Sequence, residues 1–315
     1  MRKFKTTLFT LGLAAVLAFG LSGCGKEEAK DNTKTEEKAD GEKKVDNAEK
    51  KADEKKTDLK VVAGTVAIAN ILDKLEYDHV VGVPETKYEL PARYKDAKPV
   101  GQPMKPDAEV VKSLAPDLFI STSSLAANNK PAMDELHVDS LFVELNSLEQ
   151  VTKTIRSIGE KLGIEDKAAS VADDLEKQAQ AAKEKVKDET PKTALFLFGT
   201  PKSVMVGNKN TYVGSLMTEM NIKNIFADNE EPFAPLSLED VVAANPDFVL
   251  VMNHVNPEES KAMMQKQFDE NPAWTSLDAY KNDRIIYLDN DLFSVTGNIH
   301  VADAMNNLAK TIYEK

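Results

Sequence analysis

Two segments of this chain share one spacing of glutamate, proline and aspartate, and this repeat limits the possible folds more than any other feature. Glu109 precedes Pro116-Asp117 by seven residues. Glu239 precedes Pro246-Asp247 by the same interval, and each Pro-Asp pair leads into an apolar run. A short helix, a turn at Pro-Asp and a buried strand account for each segment. The repeat therefore predicts two halves of related build.

Strand and helix patterns alternate along both halves. In the first half, apolar strands are predicted at 59–63 and 79–83, with a helix at 66–75 between them. The second half restarts with a strand at 193–198 and closes with a helix at 298–313. Alternation of this kind favours parallel strands covered by helices. The predicted fold class is α/β, with two lobes that each contain a central, mostly parallel sheet.

A long helical region separates the two halves. Apolar residues recur at helical spacing over 148–162, and a second helical run follows Gly163. About forty helical residues with at most one break would approach 60 Å in length, at a rise of about 1.5 Å per residue. We predict a long backbone helix at 147–188 that joins an N-lobe at 59–146 to a C-lobe at 189–315. A coiled-coil segment is the alternative for this region.

The amino terminus has the pattern of a secretory signal. A basic start is followed by an apolar run at 8–21, which is too short for a membrane span and predicts a signal peptide at 1–23. The sole cysteine of the chain, Cys24, ends the sequence Leu-Ser-Gly-Cys. That sequence resembles the lipobox of bacterial lipoproteins, so Cys24 is the predicted lipidation site. An ordinary signal peptide is the alternative.

The segment 24–58 is composed almost entirely of charged and small polar residues. Val45 is its only large apolar residue, so the segment cannot contribute to a hydrophobic core. We predict a disordered tether after the lipid anchor, with a reach of about 30 Å if it behaves as a flexible coil. A helix on the surface of the folded part is the alternative.

Charge and motifs argue against two broad classes of function. The formal net charge is -12 and no basic stripe with interleaved aromatic residues is present, so nucleic acid is not an expected partner. The sequence contains no nucleophile elbow, no glycine-rich dinucleotide or phosphate loop and no His-Glu-x-x-His. We therefore predict a protein that is not an enzyme.

Met104 and His254 are the residues best suited to bind a ligand. His254 follows a predicted buried strand, and open α/β sheets place ligand residues at the carboxyl ends of strands. Met104 lies between prolines in a stretch without helix or strand pattern, which predicts a side chain displayed on a loop. Haem iron accepts a methionine sulfur on one axial side and a histidine nitrogen on the other. Mn or Mg would need oxygen ligands, and Zn would need several His or Cys residues.

These features together resemble the cluster-type substrate-binding lipoproteins of bacterial ABC importers for iron. Leu-Pro-Ala-Arg-Tyr-Lys from Leu90, Val-Gly-Gln-Pro-Met-Lys-Pro-Asp from Val100 and His-Val-Asn-Pro-Glu-Glu from His254 are similar to haem-receptor lipoproteins of the iron-regulated surface determinant type. The resemblance implies a periplasmic-binding-protein-like fold of the rigid-helix class. It also implies a monomer anchored on the extracellular face of a Gram-positive membrane. This monomer would take haem from a surface donor protein and deliver it to an ABC permease and its ATPase.

The resemblance also implies roles for individual residues. Met104 and His254 would be the axial haem ligands, and Glu109 and Glu239 would dock to basic pockets of the permease. Further candidates for contact with the ligand are Arg93, Tyr94, Lys105 and His300. Because Met252 and His300 are also expected near the cleft, the second axial ligand stays open. A siderophore or cobalamin receptor is the alternative of the same fold, and a surface enzyme or scaffold is the alternative of another class.

Overall fold

The computed structural model describes residues 58–228, 230–254 and 256–314. The predicted signal peptide, Cys24 and nearly all of the predicted tether lie outside the described residues. Within these ranges, no helix combines the length and the apolar character that crossing a lipid bilayer requires.

A five-stranded parallel sheet forms the first half of the described chain. The first seven strands are β1 (Val61–Ala63), β2 (Val80–Val83), β3 (Lys98–Pro99), β4 (Gly101–Gln102), β5 (Lys105–Pro106), β6 (Leu118–Thr122) and β7 (Asp139–Val143). The N-terminal sheet has the order β3-β2-β1-β6-β7, and all of its neighbouring strands are parallel. Strands β4 and β5 form a separate antiparallel hairpin.

A second sheet, the C-terminal sheet, contains the remaining strands. These are β8 (Lys192–Thr200), β9 (Ser203–Gly207), β10 (Ile222–Asn224), β11 (Phe233–Pro235), β12 (Phe248–Asn253) and β13 (Ile285–Tyr287). The order is β11-β9-β8-β12-β13, with β10 paired to the start of β8. Strands β8, β10, β12 and β13 are parallel, whereas β9 and β11 are antiparallel additions. The prediction of an α/β fold with mostly parallel sheets is confirmed.

Helices cover both sheets. They are α1 (Val66–Lys74), α2 (Ala108–Leu114), α3 (Ala126–Glu135), α4 (Leu148–Leu162), α5 (Glu165–Glu184), α6 (Tyr212–Glu219), α7 (Leu238–Ala244), α8 (Pro257–Glu270), α9 (Pro272–Thr275), α10 (Asp278–Lys281) and α11 (Val301–Tyr313). Hydroxyl side chains cap the amino termini of several helices, because they accept hydrogen bonds from backbone N–H groups that have no partner within the first helical turn. The capping residues of α1, α4, α6 and α7 are Thr65, Ser147, Thr211 and Ser237.

The Glu-Pro-Asp repeat has the same structure in both halves. Helices α2 and α7 each contain seven residues and end at a left-handed residue, Ala115 with φ 44° and Asn245 with φ 38°. The carboxylate of Asp117 then accepts the N–H of Lys60 at 2.8 Å, next to the start of β1. Asp247 accepts the N–H of Thr193 in β8 at 2.8 Å. Each Pro-Asp turn therefore links the amino ends of two adjacent parallel strands.

The connection between the halves has one break, as the sequence allowed, but its two helices do not form one long backbone helix. Gly163 adopts φ 70° and ends α4, and α5 then packs against α4 instead of extending it. A Cβ on Gly159 would lie 2.2 Å from the Cβ of Ala168, so the two helices meet at backbone distance. Arg156 pairs with carboxylates of α5 at 2.8 and 3.0 Å. The expected length of about 60 Å is therefore wrong, since the 20 residues of α5 extend about 30 Å.

One hydrophobic core continues from the first sheet to the second. Val61 of β1, Leu175 of α5 and Met305 of α11 belong to the same buried cluster. Helix α5 lies between α4 and α11 and contacts both. Smaller clusters fill the opposite face of each sheet, around Val111 of α2 and around Trp274 of α9. The two halves are thus joined through packed side chains as well as through the chain itself.

We expect the change Asp247→Ala to lower the free energy of unfolding by about 1–3 kcal/mol, because it leaves part-buried donors of Thr193 without their acceptor. Partial burial acts to raise the pKa of Asp247, but the bonds from Thr193 and two nearby cations outweigh it and lower that pKa. Its contribution to stability should be present above the unfolded pKa of about 3.9 and disappear as the pH falls through the lower folded value. Urea unfolding at several pH values measures this.

Exposed Asp96 offers a control for that experiment. Asp96→Ala should change stability by less than about 0.5 kcal/mol at pH 7. Equal effects of the two substitutions would contradict the structural role of the Pro-Asp turn.

Candidate functional site

Segments that follow strands of the two sheets approach each other and border a cleft between the two halves. The segment after β2 reaches the segment after β12, where the Lys87 ammonium donates to the Asn256 side-chain oxygen at 3.3 Å. The pKa of Tyr88 is raised, mainly by partial burial and to a smaller extent by the carboxylate of Asp291. Asp291 lies in the segment before α11. Residues 84–91 therefore bridge the carboxyl ends of the N-terminal sheet and the C-terminal half.

A cavity of about 320 Å³ lies between the two halves, at the low end of the volume range of small-molecule sites. Ser124 and Asn146, which follow β6 and β7, line one side. The C-terminal half contributes Asn210, Thr211, Glu231, Pro232, Phe233, Val295 and Thr296. Another cavity, of about 340 Å³, lies at the amino ends of β8 and β12 and therefore away from this cleft.

Met104 is displayed at the tip of a hairpin. It occupies the two-residue turn between β4 and β5, and its side chain is 64% exposed. The hairpin continues from β3 at the carboxyl edge of the N-terminal sheet, where Gly101 accepts the N–H of Glu85 at 2.7 Å. Asn129 of α3 donates to the carbonyl of Pro103 at 3.1 Å. The thioether is therefore presented from a backbone that is fixed on both sides.

His254 lies directly after β12, at the carboxyl edge of the C-terminal sheet. Its N–H donates to the carbonyl of Gly199 at 2.8 Å, and its own carbonyl accepts the hydroxyl of Ser260 at 3.1 Å. The imidazole is half-buried and lies 5.7 Å from the ring of Phe198. Burial lowers the pKa of His254, which favours the neutral imidazole that can donate an electron pair to a metal.

The structure does not offer Arg93 and Tyr94 to a ligand. The guanidinium of Arg93 pairs with Asp73 at 2.9 Å and with Asp78. Tyr94 is 3% exposed, and its hydroxyl donates to the carbonyl of Tyr77 at 2.9 Å. The prediction of ligand contact at Tyr94 is wrong, because the short 3₁₀ turn at Ala92–Tyr94 directs this ring into the core.

The other predicted site residues have solvent-exposed or capping positions. Lys105 is exposed next to Met104. His300 precedes α11, where its N–H donates to Asn298 at 2.7 Å and its ring lies 3.5 Å from the Asp303 carboxylate. Glu109 and Glu239 are exposed in the first turns of α2 and α7. Met252, the competing sulfur, is 1% exposed inside β12 and is part of the core.

Sequence reasoning missed four residues at the cleft, namely Lys87, Tyr88, Phe198 and Phe233. Tyr88 is a large apolar side chain that is 40% exposed on the bridging segment. Phe198 and Phe233 belong to β8 and β11, and their rings lie 4.9 Å apart. The apolar run at 194–198 signalled a strand, but β11, which pairs with β9 and contains Phe233, had no sequence signal.

Known proteins resemble this chain in sequence and in structure. The model of the periplasmic binding protein family matches residues 61–292. The high-affinity heme uptake system protein IsdE of Staphylococcus aureus (strain bovine RF122 / ET3-1) is 31% identical over 261 residues, which cover 82% of this chain and 89% of IsdE.

Two solved structures are similar along nearly their whole length. An ABC transporter substrate-binding protein from Listeria monocytogenes EGD-e has a TM-score of 0.77 and 32% identity, covering 82% of this chain and 100% of that one. S. aureus IsdE complexed with heme has a TM-score of 0.76 and 31% identity, covering 81% and 99%. The prediction of a substrate-binding protein of the ABC transporter type, and not of an enzyme, is confirmed. This chain belongs to the periplasmic binding protein family.

Proposed function

We propose that this protein binds haem in the cleft between its two sheets and delivers it to an ABC permease and its ATPase. The observation that supports the proposal is that an exposed methionine sulfur lies beside the carboxyl edge of the N-terminal sheet, while a half-buried imidazole lies at the carboxyl edge of the C-terminal sheet. Met104 is exposed at the β4–β5 turn, and His254 follows β12. Haem iron accepts this pair at its two axial positions. The similarity to IsdE, which carries haem in a solved structure, supports the same ligand.

The remaining groups at the cleft fit a flat, largely apolar ligand with a charged edge. Phe198 and Phe233 supply apolar ring surface beside His254. Lys87 and Lys105 are cations on the N-terminal rim that suit carboxylate groups, such as the propionates of haem. Arg93 is excluded from this set because two carboxylates already engage it.

The proposal includes the location of the protein. A signal peptide at 1–23, a lipid on Cys24 and a tether at 24–58 would hold the binding lobes at the extracellular face of a Gram-positive membrane. The receptor would act there as a monomer and accept haem from a surface donor protein. Relatives from S. aureus and L. monocytogenes are consistent with such a cell type.

Release of haem in this proposal needs the permease. The lobes at 59–146 and 189–315 share one hydrophobic core through α5 and α11, which opposes a large hinge movement. We infer that small lobe movements dominate and that the permease separates the lobes through Glu109 and Glu239. Domain closure by a wide hinge swing is the competing description.

Titration of the purified chain from residue 58 onward with haemin tests the proposal directly. We expect a saturating Soret band and the visible bands of low-spin, six-coordinate iron, because both axial positions are filled. A ferric siderophore and cobalamin serve as competing ligands in parallel titrations. Saturable binding of either one, with no spectral response to haemin, would replace haem by that ligand class.

A further inference from the structure

Three rings form a continuous row along the C-terminal side of the cleft. The ring centroids of Phe233 and Phe198 lie 4.9 Å apart with an interplanar angle of 44°, and those of Phe198 and His254 lie 5.7 Å apart at 33°. Phe233 also lines the cavity between the two halves. The row therefore connects His254 to that cavity.

The imidazole of His254 lies at one end of this row, against the ring of Phe198. Its backbone is fixed by Gly199 and Ser260, which sets the position of the Cα atom but not the rotation of the ring. Within the described residues, no hydrogen bond to either ring nitrogen is formed, although histidines that bind metals usually donate one such bond. Phe198 is the aromatic neighbour that packs on the ring.

Phe198 is itself held firmly. It is 7% exposed, and it lies in β8 between the neighbouring strands β12 and β9, opposite Met252 and Met205. Phe233 is fixed because β11 pairs with β9, where Gly207 lies opposite Phe233. A Cβ atom on Gly207 would lie 2.4 Å from the ring of Phe196. Only glycine leaves room there for the crowded aromatic packing behind the row.

We propose that Phe198 is a positioning residue that sets the plane of the His254 imidazole, and that Phe233 continues this surface as the apolar contact for the ring of the ligand. The inference rests on the proposed function, because it assigns how one axial ligand is oriented. Aromatic pairs prefer tilted or offset contacts of this kind, and each contact contributes a small part of the binding free energy.

The test compares Phe198→Leu, Phe198→Tyr and Phe233→Leu with the unchanged protein, all loaded with haemin. In Phe198→Leu we expect altered g values in the electron paramagnetic resonance spectrum of the low-spin ferric complex, since these report the orientation of the imidazole plane. Haem dissociation should be about 2- to 10-fold faster in both leucine variants. Phe198→Tyr keeps a ring at this position and should retain the original g values.

Phe142→Leu is a matched control, because Phe142 packs on Phe119 in the N-terminal sheet at 6.3 Å and has no part in the row. It should lower thermal stability and leave the g values unchanged. Unchanged g values and dissociation rates in Phe198→Leu would overturn the inference while the proposed function stands. If Phe198→Leu does not fold, an unchanged dissociation rate in Phe233→Leu overturns it. Failure of the unchanged protein to bind haemin would overturn both.

Discussion

Replacing His254 with alanine is expected to weaken haem binding by at least about 100-fold and to convert the spectrum to that of five-coordinate iron. Residues that only orient a metal ligand cost about 10–100-fold in affinity when they are replaced, so the loss of the ligand itself should cost at least the upper end of that range. The remaining axial group would be the thioether of Met104, a weak ligand on an exposed turn. Haemin titration followed in the Soret region measures both effects.

His300→Ala is the control for this experiment, because it removes the other histidine that the sequence places near the cleft. The ring of His300 already faces the Asp303 carboxylate at 3.5 Å, so we expect an unchanged haem spectrum. A five-coordinate spectrum in His300→Ala together with a normal spectrum in His254→Ala would transfer the axial role to His300.

Met104→Leu examines the opposite rim with little disturbance of the fold. The side chain is 64% exposed, so leucine should leave the stability of the protein within about 0.5 kcal/mol of its original value. The loss of sulfur should nevertheless abolish the low-spin bands of the haem complex, because leucine cannot donate to iron. A low-spin spectrum that persists in Met104→Leu would exclude this sulfur as a ligand.

The sequence predicted the scaffold of the cleft better than its lining. The Glu-Pro-Asp repeat indicated a helix, a turn and a buried strand at two places, because proline position and apolar runs are local signals. The structure has α2 with β6 and α7 with β12 at those places. The same local signals placed His254 at the end of a strand and Met104 on a turn.

The errors concern features that depend on distant parts of the chain. Tyr94 was assigned to the ligand from its place on a loop, yet contact with Tyr77 buries it. The length of the connecting helix was estimated from helical spacing, which cannot indicate whether a break at Gly163 reverses the chain. Phe233 lies at the cleft because the three-residue strand β11 pairs antiparallel with β9. A strand of three residues is too short to show a periodic pattern in the sequence.

Removing both Glu109 and Glu239 is expected to lower haem uptake by about tenfold or more while haem affinity changes less than twofold. Both carboxylates are exposed at the first turns of equivalent helices, so neither supports a buried contact. Charges at the rim of an interface act mainly on the rate of productive encounter and on register. Uptake of haem by cells that carry Glu109→Ala and Glu239→Ala together measures this role.

Glu165→Ala separates docking from helix electrostatics. Glu165 is also an exposed acidic residue in the first helical turn, that of α5, so its loss removes the same favourable interaction with a helix dipole. Uptake should remain normal in this variant, since α5 does not repeat the Glu-Pro-Asp arrangement. If Glu165→Ala lowers uptake as much as the double variant, the effect belongs to helix stability. If the double variant transports haem normally, the permease does not read these two carboxylates, and the shared geometry of α2 and α7 serves the fold alone.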